Sequence, residues 1–273
     1  MTITDPSSGD PVTAAPQSDT VLITAEGPIR TVTLNRPDAL NAADAAMHRR
    51  LSEVWREIAD DTEARVVILT GAGRAFSAGG DFEFMLGHRH PDTRWRVMEE
   101  GRRIITEMLH FPLPVVAAVN GPAVGLGASL VAMTDIVLMA DTAFLSDPHV
   151  LVGLVAGDGG AATIPAHMSL LHAKEYLFLG DRVDAERAVT IGLANRVIPA
   201  ADLQQEATKV ALRLAAVPQH ALRDTKRALN QSLELSMAAG RNYALAAERY
   251  SMTDTDHQAF LTAQEARRAN GTA

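Results

Sequence analysis

The sequence predicts a layered α/β fold with a helical C-terminal region, and two observations carry that prediction. Up to about residue 200, short apolar runs of strand character alternate with segments of helical periodicity, and the units close on Gly or Asn. From about residue 201 the strand-like runs stop and only helical periodicities follow. A chain of 273 residues is long enough for one large domain with a helical appendage.

Taken in order, "VLITAEGPIRTVTLNRP" predicts two strands about the turn Glu26-Gly27-Pro28, with apolar alternation in "IRTVTL". "AADAAMHRRLSEVWREIADD" has helical spacing, with Met47, Leu51, Val54 or Trp55, and Ile58 on one stripe. "ARVVILTGAG" is a buried strand ending in a glycine turn. The charged segment "DTRWRVMEEGRRIITEMLHF" is helical in period and leads through two prolines to the strand "VVAAV". "GLGASLVAM" is nearly all apolar and therefore a buried helix, and "DIVLMA" and "TAFLSD" are two further strands. Four helical stretches follow: "LQQEATKVALRLAAV", "QHALRDTKRALNQSL", "LSMAAGRNYALAAERYS" and the last segment. Residues 1–19, rich in Pro, Ser, Thr and Asp and lacking a basic start, are expected to be a disordered tail and no signal peptide.

Composition removes several function classes. No apolar run reaches the ~18 residues needed to span a bilayer. The absence of cysteine excludes disulfides, thiolate metal sites and a cysteine nucleophile, and fits a cytoplasmic location. A net charge of −8 argues against a nucleic-acid partner. His88 and His90 form an HxH without a third ligand at useful spacing, so no metal site is expected, and the basic "HRHPDTRWR" reads as a solvated loop, contact with a ligand's phosphates being the other reading.

Two glycine-rich stretches could carry chemistry. In "RAFSAGGDFEFM", Gly79 and Gly80 follow a strand and would let a ligand approach the backbone; a plain glycine turn is the other reading. In "AAVNGPAVGLGASL", glycines enter a buried helix whose free amides could face an oxyanion; close strand–helix packing is the alternative. The "GxG" within it lacks the spacing of a dinucleotide fingerprint.

"LNRPDALNA", "GAGRAFSAGGD", "AAVNGPAVGLGASLVAMTDIVLMA" and "ERAVTIGLANRVIPA" stand in the order and spacing of the enoyl-CoA hydratase/isomerase family, the crotonase superfamily, which the chain resembles over roughly residues 20–266. The resemblance implies a crotonase-like spiral of ββα units over residues 20–200 and a helical trimerisation region over 201–273. It implies a homotrimer or dimer of trimers acting in lipid metabolism. The ligand would be an acyl-CoA thioester, with coenzyme A as part of the substrate and no permanently bound cofactor. The oxyanion hole maps onto the N–H groups of Gly80 and Leu126. The loop containing Arg36, Ala39 and Leu40, and the segment with Ala78, Asp81 and Phe82, would cradle CoA. Phe260 corresponds to a C-terminal aromatic that touches it. Asp38 stands where a phosphate contact is expected and cannot supply one, which leaves Arg36 as the substitute.

The acid–base positions depart from the family pattern. Hydratases of the family use two glutamates; the matching residues here are Ser129 and His149. An unassisted serine is a poor base, so simple hydration is disfavoured. His149 titrates near neutral pH when unperturbed. Asp158, in "AGDGG", stands on a glycine turn with little side-chain cover and could take a proton, activate water or attack; it could equally cap the next helix. Ser129 would space or hydrogen-bond, Asp147 could orient His149 but reads rather as a strand-end surface acid, and Asp81 as a loop-fixing residue. The expected chemistry is isomerisation, thioester hydrolysis or carbon–carbon hydrolysis through Asp158 and His149. The alternative is a catalytically silent CoA-binding subunit. The acyl pocket is expected among loop residues around 82–110.

Overall fold

The computed structural model describes residues 20–238 and 240–270; the expected tail over 1–19 lies outside them. The hairpin forms as expected from β1 (Val21–Glu26) and β2 (Ile29–Leu34). A 3-10 turn over Pro37–Ala39 leads into α1 (Ala45–Leu51) and α2 (Val54–Ala59). A single helical period thus becomes two helices. The break falls at Ser52, whose hydroxyl donates back to the Arg49 carbonyl (2.7 Å), a local bond that competes with helix continuation. The stripe Met47, Leu51, Val54, Trp55 and Ile58 is buried all the same.

β3 (Val66–Gly71) precedes α3 (Phe82–Gly87) and α4 (Pro91–His110). The stretch expected to offer loop residues is therefore mostly helical, and Pro91 at the first position of α4 starts the long helix. Next come β4 (Val115–Val119), β5 (Ala123–Val124), α5 (Leu126–Ala132), β6 (Ile136–Ala140), β7 (Phe144–Ser146), a 3-10 turn over His149–Val152 and α6 (Gly160–His167). The chain continues through α7 (Leu170–Leu179), β8 (Val183–Asp184), α8 (Ala185–Ile191), β9 (Arg196–Ile198) and α9 (Leu203–Ala216). It ends in α10 (Gln219–Ala238), α11 (Arg241–Ser251) and α12 (Thr255–Ala269). Leu235 to Ala238, expected to begin the third C-terminal helix, instead complete α10.

The strands form a six-stranded sheet in the order β1-β2-β3-β4-β6-β9, parallel except at the hairpin, and a small sheet in the order β5-β7-β8. Ser77 bridges Ala123, so the small layer begins one unit earlier. Each of β3, β4 and β6 is thus followed by a short extended piece in the second layer and then by a helix. This is the repeating ββα plan, advancing one strand along the main sheet per unit.

Val66 to Leu69 and all of β4 are buried, so these strands show no alternation, as a covered parallel sheet requires. Helix α9 lies over β3 and β4. Helices α10 and α11 pack on α4 and α6, and α12 packs on the 3-10 turn at His149–Val152. The C-terminal helices therefore roof the segment between β7 and α6, where the histidine and both aspartates lie.

Candidate active site

The loop 36–43 and the segment 77–81 are stitched together by backbone bonds. Ala78 N–H donates to Leu40 O (2.9 Å), Ala43 N–H to Gly79 O (2.7 Å) and Asp81 N–H to Ala43 O (2.9 Å). Asn41 holds the turn in a left-handed conformation, its amide donating to Ala72 O (2.9 Å) and Ala75 O (2.8 Å). This pattern skips Gly80, whose N–H meets no protein acceptor among the described residues. Opposite, Val124 N–H donates to Ser77 O (2.8 Å) and Gly125 N–H to Ser146 O (2.9 Å), while the N–H of Leu126, the first residue of α5, is also left free of protein acceptors. Gly125 has φ 53°, and a Cβ there would stand 3.4 Å from His149 Cε1, so the turn admits only glycine comfortably. Gly80 and Leu126 both line one cavity, as do Ala78, His149, Asp158 and Glu248.

The acid–base groups sit on the same wall. Asp147, at the end of β7, is 1% exposed. Its Oδ1 accepts from His149 Nδ1 (2.5 Å) and from the His149 peptide N–H (3.3 Å). The other ring nitrogen, Nε2, lies 3.4 Å from Asp158 Oδ2, and Ser129 Oγ donates to Asp158 Oδ1 (2.9 Å). The result is a continuous chain Asp147–His149–Asp158–Ser129. Burial alone would lower the His149 pKa, but the two aspartate charges and their bonds carry it well above the usual imidazole value. Burial pushes Asp158 up, yet the His149 charge, with bonds from His149, Ser129 and the Gly160 N–H, brings it below the usual carboxylate range. At neutral pH the cavity therefore faces an imidazolium beside a carboxylate.

Two sequence expectations are corrected here. Asp147 is no surface acid: it points inward with Leu145, two residues earlier on the same extended chain, and fixes the His149 ring. Asp158 is not bare on its turn but is 8% exposed under Ser129 and His149. The cap of α6 is Gly159, with no side-chain cap bond. A Cβ on Gly160 would approach Asp147 Oδ2 to 2.4 Å, so glycine at the start of α6 makes room for the buried carboxylate.

Glu248, from α11, escaped the sequence reading. It is buried, its Oε2 has no partner, and it lines the cavity. Burial, reinforced by the Asp158 charge, pushes its pKa up to about 8, so at neutral pH it holds a proton. Its signal was present in the helical stripe Ala244, Leu245, Glu248 and Met252, where one acid interrupts an apolar face. His48 also lines the cavity, its Nδ1 bonded to the buried Glu100 Oε2 (2.7 Å). Phe84, Met85, Val97, Met98 and Met252 supply apolar lining, so the expected pocket around 82–110 is built from α3 and α4, with α11 added.

The remaining expected ligand contacts are more scattered. Ser129 is fully buried behind Asp158 and does not line the cavity. Arg36 is held by Asp44 (3.2 Å) and Asp81 (3.0 Å) and donates to Ala42 O. Asp81 also caps α3 by accepting from Glu83 N–H (2.9 Å). Phe82 lies under the Arg268 guanidinium (4.3 Å), Ala39 and Leu40 shape the 3-10 turn, and Phe260 stacks on His257 with centroids 6.3 Å apart. None of Arg36, Ala39, Leu40, Asp81, Phe82 and Phe260 lines the enclosed cavity. The "HRHPDTRWR" stretch is mostly exposed, but its first residue, His88, is buried, and from Pro91 it is the start of α4 and not a loop. Among the described residues no cluster of three or more His, Asp or Glu could hold a metal ion.

Comparison with known proteins gives the family. The family model described as enoyl-CoA hydratase/isomerase matches residues 24–270. The Bacillus subtilis enoyl-CoA hydratase/isomerase YngF is 34% identical over 254 residues, covering 92% of this chain and 97% of its own. A solved enoyl-CoA hydratase/isomerase from Mycobacterium paratuberculosis superposes with a TM-score of 0.88 at 47% identity, over 91% of this chain and 99% of that one. A beta-diketone hydrolase from the cyanobacterium Anabaena, solved with (S)-3-oxocyclohexyl acetic acid bound, superposes with a TM-score of 0.81 at 29% identity, over 89% and 99%. The chain is an enzyme of the enoyl-CoA hydratase/isomerase family, within the crotonase superfamily.

Proposed function

We propose that this enzyme hydrolyses the carbon–carbon bond between two carbonyl groups of a β-diketone. The observation that carries this is the pairing, in one cavity, of an ionised Asp158 held by His149 with a protonated Glu248. Two groups whose pKa values are driven apart by their surroundings make a base and an acid. Neither position of the hydratase glutamates carries one, so hydration by that pair is disfavoured.

In this reading one carbonyl oxygen sits against the N–H groups of Gly80 and Leu126. The Asp158 carboxylate takes a proton from water as the water oxygen adds to that carbonyl carbon. The tetrahedral alkoxide, stabilised by the two amides, collapses to a carboxylic acid. The carbon–carbon bond breaks with its electron pair moving into the enolate of the second carbonyl. Glu248 supplies the proton that converts the enolate to a ketone, and the proton held by Asp158 restores Glu248. His149 keeps Asp158 ionised, and Asp147 fixes the ring. The similarity to a beta-diketone hydrolase supports the substrate class. So does the neutralisation of Arg36 by Asp44 and Asp81, which removes the cation expected to meet a CoA phosphate.

A panel separates this from the other chemistry open to the family. Crotonyl-CoA, a 3-oxoacyl-CoA, and the bicyclic β-diketone whose ring opening by water gives 3-oxocyclohexyl acetic acid are each incubated with the enzyme. The expected outcome is acid formation from the diketone, abolished by Asp158→Asn. Turnover of crotonyl-CoA at the faster rate would overturn the reading in favour of hydration. Preference for the 3-oxoacyl-CoA would keep the carbon–carbon cleavage but return the substrate to the thioester class.

A further inference from the structure

The proposed reaction leaves two polar side chains of the cavity unused, His48, which is bonded to Glu100, and His88. His88, at the end of α3, is 4% exposed and lines the cavity, and neither of its ring nitrogens has a partner in the protein. Buried polar groups are nearly always hydrogen-bonded. The other buried histidines among the described residues obey that rule at one nitrogen at least, His48 on Glu100 and His257 on Val152 O (2.7 Å), as does the half-buried His149 on Asp147. His88 is the exception, and its surroundings keep it one. Its peptide N–H donates to Met85 O (3.0 Å) and its carbonyl accepts from Arg94 Nη1 (2.7 Å), which fixes the backbone. Its ring stands edge-on to Phe84 with centroids 4.9 Å apart, against an aromatic surface that satisfies no polar atom.

The form of the ring defines what it can bind. Burial, with repulsion from His48, His257 and Arg94, lowers the His88 pKa to about 3, so it is a neutral imidazole with one N–H and one lone pair. It can donate to a carbonyl, or both donate to and accept from a hydroxyl. It offers no charge to a carboxylate, and the cavity wall already carries Asp158.

We infer that His88 is a specificity residue that hydrogen-bonds an uncharged oxygen of the substrate, a carbonyl or hydroxyl other than the carbonyl under attack. This deepens the proposed function and rests on its placing the attacked carbonyl at Gly80 and Leu126. A β-diketone brings such a second oxygen with it, whereas a simple enoyl chain does not.

The test is calorimetric and needs no turnover, so it stands apart from the activity panel. Binding of 3-oxocyclohexyl acetic acid is compared with that of cyclohexyl acetic acid, which lacks only the ring oxygen, using the full chain. The wild type binds the oxo acid about tenfold more tightly, the worth of one hydrogen bond in a buried site. His88→Phe reduces that ratio to about one while leaving cyclohexyl acetic acid binding unchanged. His88→Asn, which keeps a donor and an acceptor, retains part of the preference. The inference is overturned if the wild type shows no preference, if the preference survives in H88F, or if H88F weakens both ligands equally. A preserved ratio without diketone turnover would sink the proposed reaction and leave the role of His88 standing.

Discussion

At the scale of single residues, the proton inventory of the cavity turns on Asp147, which solvent barely reaches and which holds His149 at Nδ1. Two carboxylates flank one imidazole, and their charges keep it protonated against the cost of burial. Asp147→Asn removes one of those charges while keeping a hydrogen-bond acceptor. The His149 ring, followed by nitrogen NMR, should then lose its proton at a lower pH than in the wild type; an unmoved midpoint would remove Asp147 from the relay. Asp158→Asn should cost more, ~10²–10⁴ in kcat, because in the proposed reaction it removes the base itself. Glu248 gives the complementary signature. Its folded pKa, about 8, lies above its unfolded value, so its protonated form is lost as pH rises through that value. Activity should fall above about pH 8, and Glu248→Gln should abolish that limb. The same sign applies to stability: wild-type folding weakens from the ordinary carboxylate range up to about pH 8, because the unfolded chain releases this proton while the folded chain keeps it. Glu248→Gln should therefore raise Tm more at pH 9 than at pH 5.

At the scale of elements, the proposed oxyanion donors are backbone N–H groups, and a proline can remove one. Leu126 is the first residue of α5, a position where helices accept proline because its N–H makes no intrahelical bond. Leu126→Pro should keep the helix yet reduce kcat by ~10²–10³, the usual worth of one such donor. Leu126→Ala, which keeps the N–H, should lose less than about tenfold. Equal losses in the two variants, with matching circular dichroism, would assign the effect to packing. What the sequence disclosed divides along the same line. Glycine spacing marked the two stretches that hold Gly80 and Leu126, because local conformation is written locally, but only the family resemblance singled out those two N–H groups. His149 and Asp158 were found through the positions the family reserves for acids. Asp147 was misread because a single acid after a strand has no local mark of burial; its phase with Leu145 was the only clue. Glu248 and His88 reach the cavity from α11 and α3, and only tertiary packing brings those helices to the β7–α6 wall. Helix breaks at Ser52 and Gly240 are local in origin, a serine bonding back to Arg49 O and a glycine, but hydrophobic period does not read them.

At the scale of the whole molecule, the C-terminal helices help to build the cavity, since α11 supplies Glu248 and α12 covers the turn that carries His149. A clamp on α10 ties that region to the main sheet. Lys226 Nζ is buried, donating to Leu113 O (2.8 Å) and Asp135 Oδ2 (2.7 Å), with the Phe111 ring 5.5 Å away. Asp135 Oδ2 in turn accepts from Val115 N–H (2.7 Å), so one carboxylate joins α10 to the start of β4. Phe111 packs edge-on against Trp55, with centroids 5.4 Å apart, placing an indole next to the clamp. A helical region bound through a buried ion pair and a shared cavity should unfold together with the spiral. Removing the lysine alone leaves the Leu113 carbonyl without its bond and Asp135 without its cation. The pair is partly open on the aspartate side, so Lys226→Met should cost about 2–3 kcal/mol, below the range for fully buried pairs. In urea, tryptophan fluorescence and far-ultraviolet circular dichroism should give coincident transitions in the wild type and should shift together in K226M. Two separated transitions in the wild type would show that residues 201–273 fold independently. The catalytic cavity would then be closed by a separable part and not by the core itself.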